Sequence, residues 1–191
     1  MPNWCDNRVC LSANNKKGNA QIKKFFKSSW SKNEGGEYEL DYNGLIPSPD
    51  WDNTPNKEGQ LPSMETEGSW KGRMRFPDGK VDSRWYDWNC NNWGTKWNAS
   101  DSCIDMYEED DSYFEFNFSS PWGSPWRWIE KVVEVCPDTT ITLQTSGEVD
   151  SRCYVEWKNE TLVWEEDENN DNWYEDMEKT DGDWYFTPEG R

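Results

Sequence analysis

At 191 residues the chain has room for one ordinary domain with insertions, and its 33% hydrophobic content would make a thin core without 15 Trp, 8 Tyr and 7 Phe, each able to remove about 150 to 250 Å² from water. Its formal charge of −18 is lopsided: residues 1–104 carry 14 acids and 14 bases, residues 105–191 carry 24 acids and 6 bases. Such a field disfavours nucleic acid and anionic membrane and favours basic protein partners or metal cations.

From the N-terminus, "NRVCLS" alternates Val9 and Leu11 as a short strand does, and "NAQIKKFFKSSW" places Ile22, Phe25, Phe26 and Trp30 at helical spacing. Lys16, Lys17, Lys23, Lys24, Lys27 and Lys32 give that helix a basic, solvated face. "EYELDYNGLIP" alternates Tyr38, Leu40 and Tyr42 and reads as a second strand. Residues from Pro47 to about Arg84 are rich in Pro, Gly, Asn, Asp and Ser, the composition of a long irregular insertion. "SYFEFNFSS" puts Phe114, Phe116 and Phe118 on one strand face. In "SPWRWIEKVVEVCPD", Ser124 is the expected N-cap of a helix that turns Trp126, Ile129, Val132, Val133 and Cys136 inward. "TTITLQT" is a further strand, and "RCYVEWK" with "TLVWEE", joined by "NE", a hairpin. The expected fold is α+β, a ferredoxin-like βαββαβ sandwich with a long insertion after the second strand, an extra C-terminal hairpin and an acidic tail. The expected division is a domain over 1–166, with its insertion at about 47–84, and an acidic extension over 167–191.

The chain has no histidine, so Ser-His and Cys-His nucleophile pairs are excluded, and its cysteines at 5, 10, 90, 103, 136 and 153 lack zinc-ribbon spacing. No phosphate-cradling glycine loop is present either, so the expectation is a protein without catalytic residues or a cofactor. No apolar N-terminal segment or run of 18 apolar residues stands out, which points to the cytoplasm and free thiols.

"RWYDWNCNNWGTKWN" concentrates four tryptophans. One reading is a second small core in which Trp85, Trp88, Trp93 and Trp97 pin the insertion to the sheet. The other is a site for a flat ligand, with Trp88, Trp93 and Trp97 for stacking, Asn91, Asn92 and Lys96 as polar handles, and Arg73, Arg75 and Arg84 for a phosphate. "DENNDNWYEDME" places Asp167, Asn169, Asp171 and Glu178 at calcium-loop offsets, with Asn172 where such loops have glycine and no flanking helix. The surrounding acids Glu165, Glu166, Asp167, Glu168, Asp171, Glu175 and Asp176 form the candidate surface for a basic partner.

"PNWCDN", "WYDWNCNNWGTKWN" and "SPWGSPW", in that order, resemble the YubB-like ferredoxin-like domain family of bacteriophages and mobile plasmids, over roughly residues 2–158. Trp4, Cys5, Trp88, Trp93, Gly94, Thr95, Trp97, Trp122 and Pro125 occupy the family's motif positions. The resemblance implies the βαββαβ fold and a phage or plasmid origin; it carries no established activity, and the acidic extension departs from it. The expected function is a phage-encoded accessory protein that binds and modulates or inhibits a host protein with a basic surface in the infected cell's cytoplasm. Acidic mimicry of nucleic acid is one route and counter-defence one setting. No membrane contact and no direct nucleic-acid binding are expected. The alternatives are a Trp-rich protein that sequesters a small ligand or nucleotide and, behind it, a metal-dependent enzyme.

Overall fold

The computed structural model describes residues 3–66, 71–108, 110–147 and 153–167, the side chains of 164–167 apart. In chain order the elements are β1 (Trp4–Ser12), α1 (Lys16–Ser29), β2 (Trp30–Lys32), β3 (Tyr38–Leu40), a single 3-10 turn (Tyr42–Gly44), β4 (Ser63–Met64) and β5 (Met74–Arg75). They continue with α2 (Arg84–Asn92), β6 (Ser100–Tyr107), β7 (Tyr113–Pro121), α3 (Trp126–Val135), β8 (Thr140–Gly147), β9 (Cys153–Lys158) and β10 (Thr161–Asp167). The fold is α+β. Six strands form one antiparallel sheet in the order β10-β9-β8-β1-β7-β6, and β2-β3 and β4-β5 are separate hairpins. None of the described helices is long and apolar enough to cross a membrane.

The period of two in the sequence sets the faces. Val9 lies opposite Phe116 and Leu143, and Leu11 opposite Phe114 and Ile141, so three neighbouring strands turn their apolar residues to one side. α1 covers that side with Ile22 and Phe25, and α3 with Trp128, Ile129, Val132 and Val133, all in one buried cluster. Rings substitute for aliphatic side chains: Phe25 sits within about 6 Å, centroid to centroid, of Phe114, Phe116 and Trp128. The hairpin between β9 and β10 turns on Asn159 and Glu160, both at positive φ, the two-residue geometry that matches strand twist.

Three features differ from the sequence expectation. The strand expected in "EYELDYNGLIP" ends at Leu40 and pairs only with β2. The Asp41 carboxylate accepts from the backbone and side-chain N–H groups of Asn43, and that local bond turns the chain into the 3-10 turn. The neighbour of β7 is instead β6, "SDSCIDMY". Its ladder to β7 shifts register at two points, so the apolar residues lose strict alternation. In α3 it is Trp128 that is fully buried, while Trp126 stands exposed at the first helical position.

Candidate functional site

The long segment between β3 and β6 is tied down at its end by one arginine. Arg84 bonds the carboxylate of Asp82 at 2.6 Å, donates to the carbonyls of Trp51, Thr54 and Pro55, and lies 5.0 Å from the ring centroids of both Trp51 and Phe76. These bonds hold the Asp82 carboxyl below its ordinary range. Asp82 also accepts the backbone N–H of Arg84 at the start of α2, whereas the Ser83 side chain makes no capping bond. Arg75 bonds Glu65 and the carbonyl of Gly79 within the β4–β5 region, and Arg73 is exposed there. Of the three arginines considered for a phosphate, Arg75 and Arg84 are thus bonded within the insertion itself.

α2 ends where the Asn89 carbonyl accepts from both Trp93 and Gly94. Gly94, at φ +85°, makes the left-handed exit, and a Cβ there would lie 3.0 Å from the backbone nitrogens of Trp126 and Arg127. The first turn of α3 is therefore packed directly on this glycine, and the N–H of Trp128 reaches the carbonyl of Trp93. Trp93, 4% exposed, drives its indole inward against Tyr42 and Trp88 and donates from Nε1 to the Ile46 carbonyl at 2.9 Å. Trp88 and Trp93 accordingly serve as core, Trp93 in the main cluster and Trp88 half-buried against it. Trp97 faces out at 38% exposure, 6.3 Å from the Trp4 ring.

The other two motifs arrive at the same place. In β1, Asn7 is buried and its amide donates to Ser120 Oγ at 2.8 Å and to the carbonyls of Cys5 and Phe118. Ser120 in turn donates to the Gly123 carbonyl, and Thr95 to the Pro121 carbonyl, each at 2.8 Å. Trp122, between them, takes φ +73° with its N–H on the Asn3 carbonyl. A left-handed backbone is strained for a bulky residue, and Trp122 keeps 59% of its surface exposed. Ser124, expected as an N-cap, makes no such bond; its hydroxyl lies 3.6 Å from the Cys5 thiol, with α3 beginning two residues later.

What these segments enclose is a cleft of about 590 Å³. Cys5, Thr145 and Cys153 come from the ends of β1, β8 and β9, and Tyr86 and Cys90 from one side of α2. Gly94, Thr95 and Lys96 form one lip, and Pro121, Trp122, Gly123, Ser124 and Trp126 the other. Rings, hydroxyls and one cation around a pocket of this size are the means by which a small flat molecule is gripped. Of the residues picked from sequence for a ligand, only Lys96 lies in this wall. Tyr86, Trp122, Ser124 and Trp126, which line it, are not picked out by the sequence as binding residues, since their signal is the motif that carries them rather than any residue pattern of binding.

The acidic candidates fall mainly elsewhere. Glu165, Glu166 and Asp167 lie on β10, an edge strand of the sheet. Glu168, Asn169, Asp171, Glu175, Asp176 and Glu178 lie outside the described residues, and with them three of the four calcium-loop positions, all but Asp167. Among the described residues, no group of three or more Cys, Asp or Glu is arranged to hold a metal ion. On the sheet face away from the helices, Glu115 is buried between Arg8 and the Tyr113 hydroxyl, which donates to it at 2.6 Å. Burial raises the neighbouring Cys10 thiol above its ordinary pKa, a setting that suits structure better than nucleophilic chemistry.

No protein-family model matches the chain, and no curated protein does. Among solved structures the chain is similar to protein api92 from Yersinia pseudotuberculosis, described under the family DUF1281. Identity is 10%, the match covers 87% of this chain and 98% of that one, and the TM-score is 0.47. At that distance the likeness bears on neither fold nor function.

Proposed function

We propose that the chain is a binding protein whose cleft between α2, the β7–α3 turn and the sheet end takes a small planar ligand. The observation that carries this is convergence: segments around residues 5, 95 and 123 each put side chains on one cleft, and an exposed tryptophan is held over it in a strained backbone conformation. Strain of this kind persists only where the surroundings impose it, and a solvent-facing ring gains nothing from it in folding. Trp122, Trp126 and Tyr86 supply the stacking faces. The test is quenching of tryptophan fluorescence by a panel of nucleotides and other flat compounds, repeated with Trp122→Ala and Trp126→Ala. Saturable quenching that either variant abolishes at unchanged melting temperature supports the reading; no response from any compound sinks it.

The strand order β8-β1-β7-β6, with α1 following β1 and α3 preceding β8, supports reading the framework as ferredoxin-like with a long insertion. Motif resemblance to a phage- and plasmid-borne family makes an infected or plasmid-bearing cell the setting, with the protein tying up a host component. A second reading rests on the acids of β10: an edge strand carrying Glu165, Glu166 and Asp167 can meet a basic host protein. Capture of a partner that is lost on changing these three and Glu168 to amides, and lost at high salt, supports it; salt-insensitive capture contradicts it.

A further inference from the structure

Among the described residues one charged side chain lines the cleft, that of Lys96. In a chain with 38 acids against 20 bases this is a conspicuous choice. Lys17, Lys23, Lys80 and Lys131 each have a carboxylate within ion-pairing distance, and Lys16 and Lys24 stand exposed on α1, where water solvates them. Lys96 is half-buried, and among the described residues no acid pairs with it. Its ammonium lies 4.4 Å from the Trp97 ring centroid and 5.6 Å from that of Tyr86, while its carbonyl is fixed by the Asn89 amide at 2.8 Å. Ring faces restrain a cation and offset part of its lost hydration, but they leave its charge unneutralised.

The rest of the wall is arranged to leave that charge available. Among the described residues it contains no carboxylate, so none of them repels an anion entering the cleft despite the acidity of the whole. The Thr95 hydroxyl is committed to the Pro121 carbonyl, whereas the Ser124 hydroxyl has, among the described residues, only the weakly polar Cys5 thiol as a partner and can donate. A restrained cation, a hydroxyl donor and tryptophan faces on the same cleft describe complementary halves of one molecule. We propose that the ligand is a planar anion, an aromatic ring system bearing a phosphate or carboxylate, and that Lys96 is the residue that selects its charge. This rests on the planar-ligand reading and adds to it the class of ligand.

The experiment uses the full chain and two matched pairs of probes: adenosine 5′-monophosphate with adenosine, and naphthalene-2-carboxylate with naphthalene-2-carboxamide. Binding is followed by titration calorimetry at low and high salt, with Lys96→Met and Lys96→Arg alongside. The charged member of at least one pair should bind about tenfold or more tighter than its neutral counterpart, by an amount that shrinks as salt rises. Which pair shows this separates phosphate from carboxylate. The preference should vanish in Lys96→Met and return in Lys96→Arg. Neutral members binding as tightly as charged ones to the unaltered chain would overturn the inference while leaving the cleft a site for flat molecules, and so would a charge preference that survives Lys96→Met. Binding by none of the four probes would overturn the planar-ligand reading and this inference with it.

Discussion

Trp93 and Trp97 lie four residues apart and differ only in what surrounds them, which makes them a controlled pair. Truncating Trp93 to alanine uncovers most of an indole that is 4% exposed. About 150 to 200 Å² of ring at about 25 cal/mol per Å² amounts to roughly 4 to 5 kcal/mol, an upper figure because the unfolded chain already hides some of it. Loss of the bond to the Ile46 carbonyl adds about 1 kcal/mol, and partial collapse of Tyr42 and Trp88 into the space returns some. The expected cost is about 3 to 5 kcal/mol. Trp97→Ala opens no enclosed void, since 38% of the residue is already in water and its neighbours include Trp4 and the Lys96 ammonium; about 1 to 2 kcal/mol is expected. Guanidinium unfolding followed by far-UV circular dichroism, which does not depend on the tryptophans removed, reads both. Equal costs for the two, or a Trp93→Ala loss below about 1.5 kcal/mol, would refute the assignment of Trp93 to the core.

Tyr42 is fully buried, its hydroxyl has no hydrogen-bond partner among the described residues, and burial pushes its pKa well up. Tyr42→Phe should therefore leave thermal stability unchanged or raise it by up to about 1 kcal/mol, and a loss of more than that would show the hydroxyl to be bonded. Gly94→Ala must seat a Cβ 3.0 Å from two backbone nitrogens of α3 at φ +85°, so a loss of about 1 to 3 kcal/mol is expected in the same assay. The Asp82 carboxyl, held low chiefly by its bond to Arg84, contributes stability that is present above the unfolded-state value near pH 4 and is lost as pH falls through the lower folded value. Asp82→Asn should be less stable at neutral pH and show a flatter acid limb, measured as unfolding midpoint against pH; parallel limbs would contradict this.

What could be read from the chain followed from how regular the local pattern was. Val9 and Leu11, Phe114, Phe116 and Phe118, and the α1 residues Ile22 and Phe25 repeat at the period of their element, because each element buries one continuous face. β6 escaped notice because register shifts break its alternation and only Ile104 and Tyr107 turn toward the cluster. α2 escaped because its nine residues "RWYDWNCNN" divide their loyalties: Trp88 goes to the core, Tyr86 and Cys90 to the cleft, and Asn89 to a carbonyl. The cleft itself depends on contacts more than 80 positions apart, such as Cys5 with Ser124, which no local pattern encodes. The motifs signalled that these stretches mattered, but their meeting place is a property of the fold.

Arg84 makes the insertion resemble a ring closed by a non-covalent clasp. Its guanidinium joins positions 33, 30 and 29 residues back along the chain, so both ends of the segment are fixed within one cluster of bonds. For a flexible loop so clasped, the entropy of closure grows only with the logarithm of length, and doubling the segment costs about 0.6 kcal/mol. The stretch between Pro55 and Phe76 can thus be lengthened, shortened or exchanged with little thermodynamic penalty, while Phe76 stays with the clasp and α2, which starts there, holds Tyr86 and Cys90 where they are. Diversity in this chain's relatives should accordingly gather inside the clasp and stop at Arg84, and a chimera carrying a foreign loop there should keep the same melting transition as long as the clasp is intact.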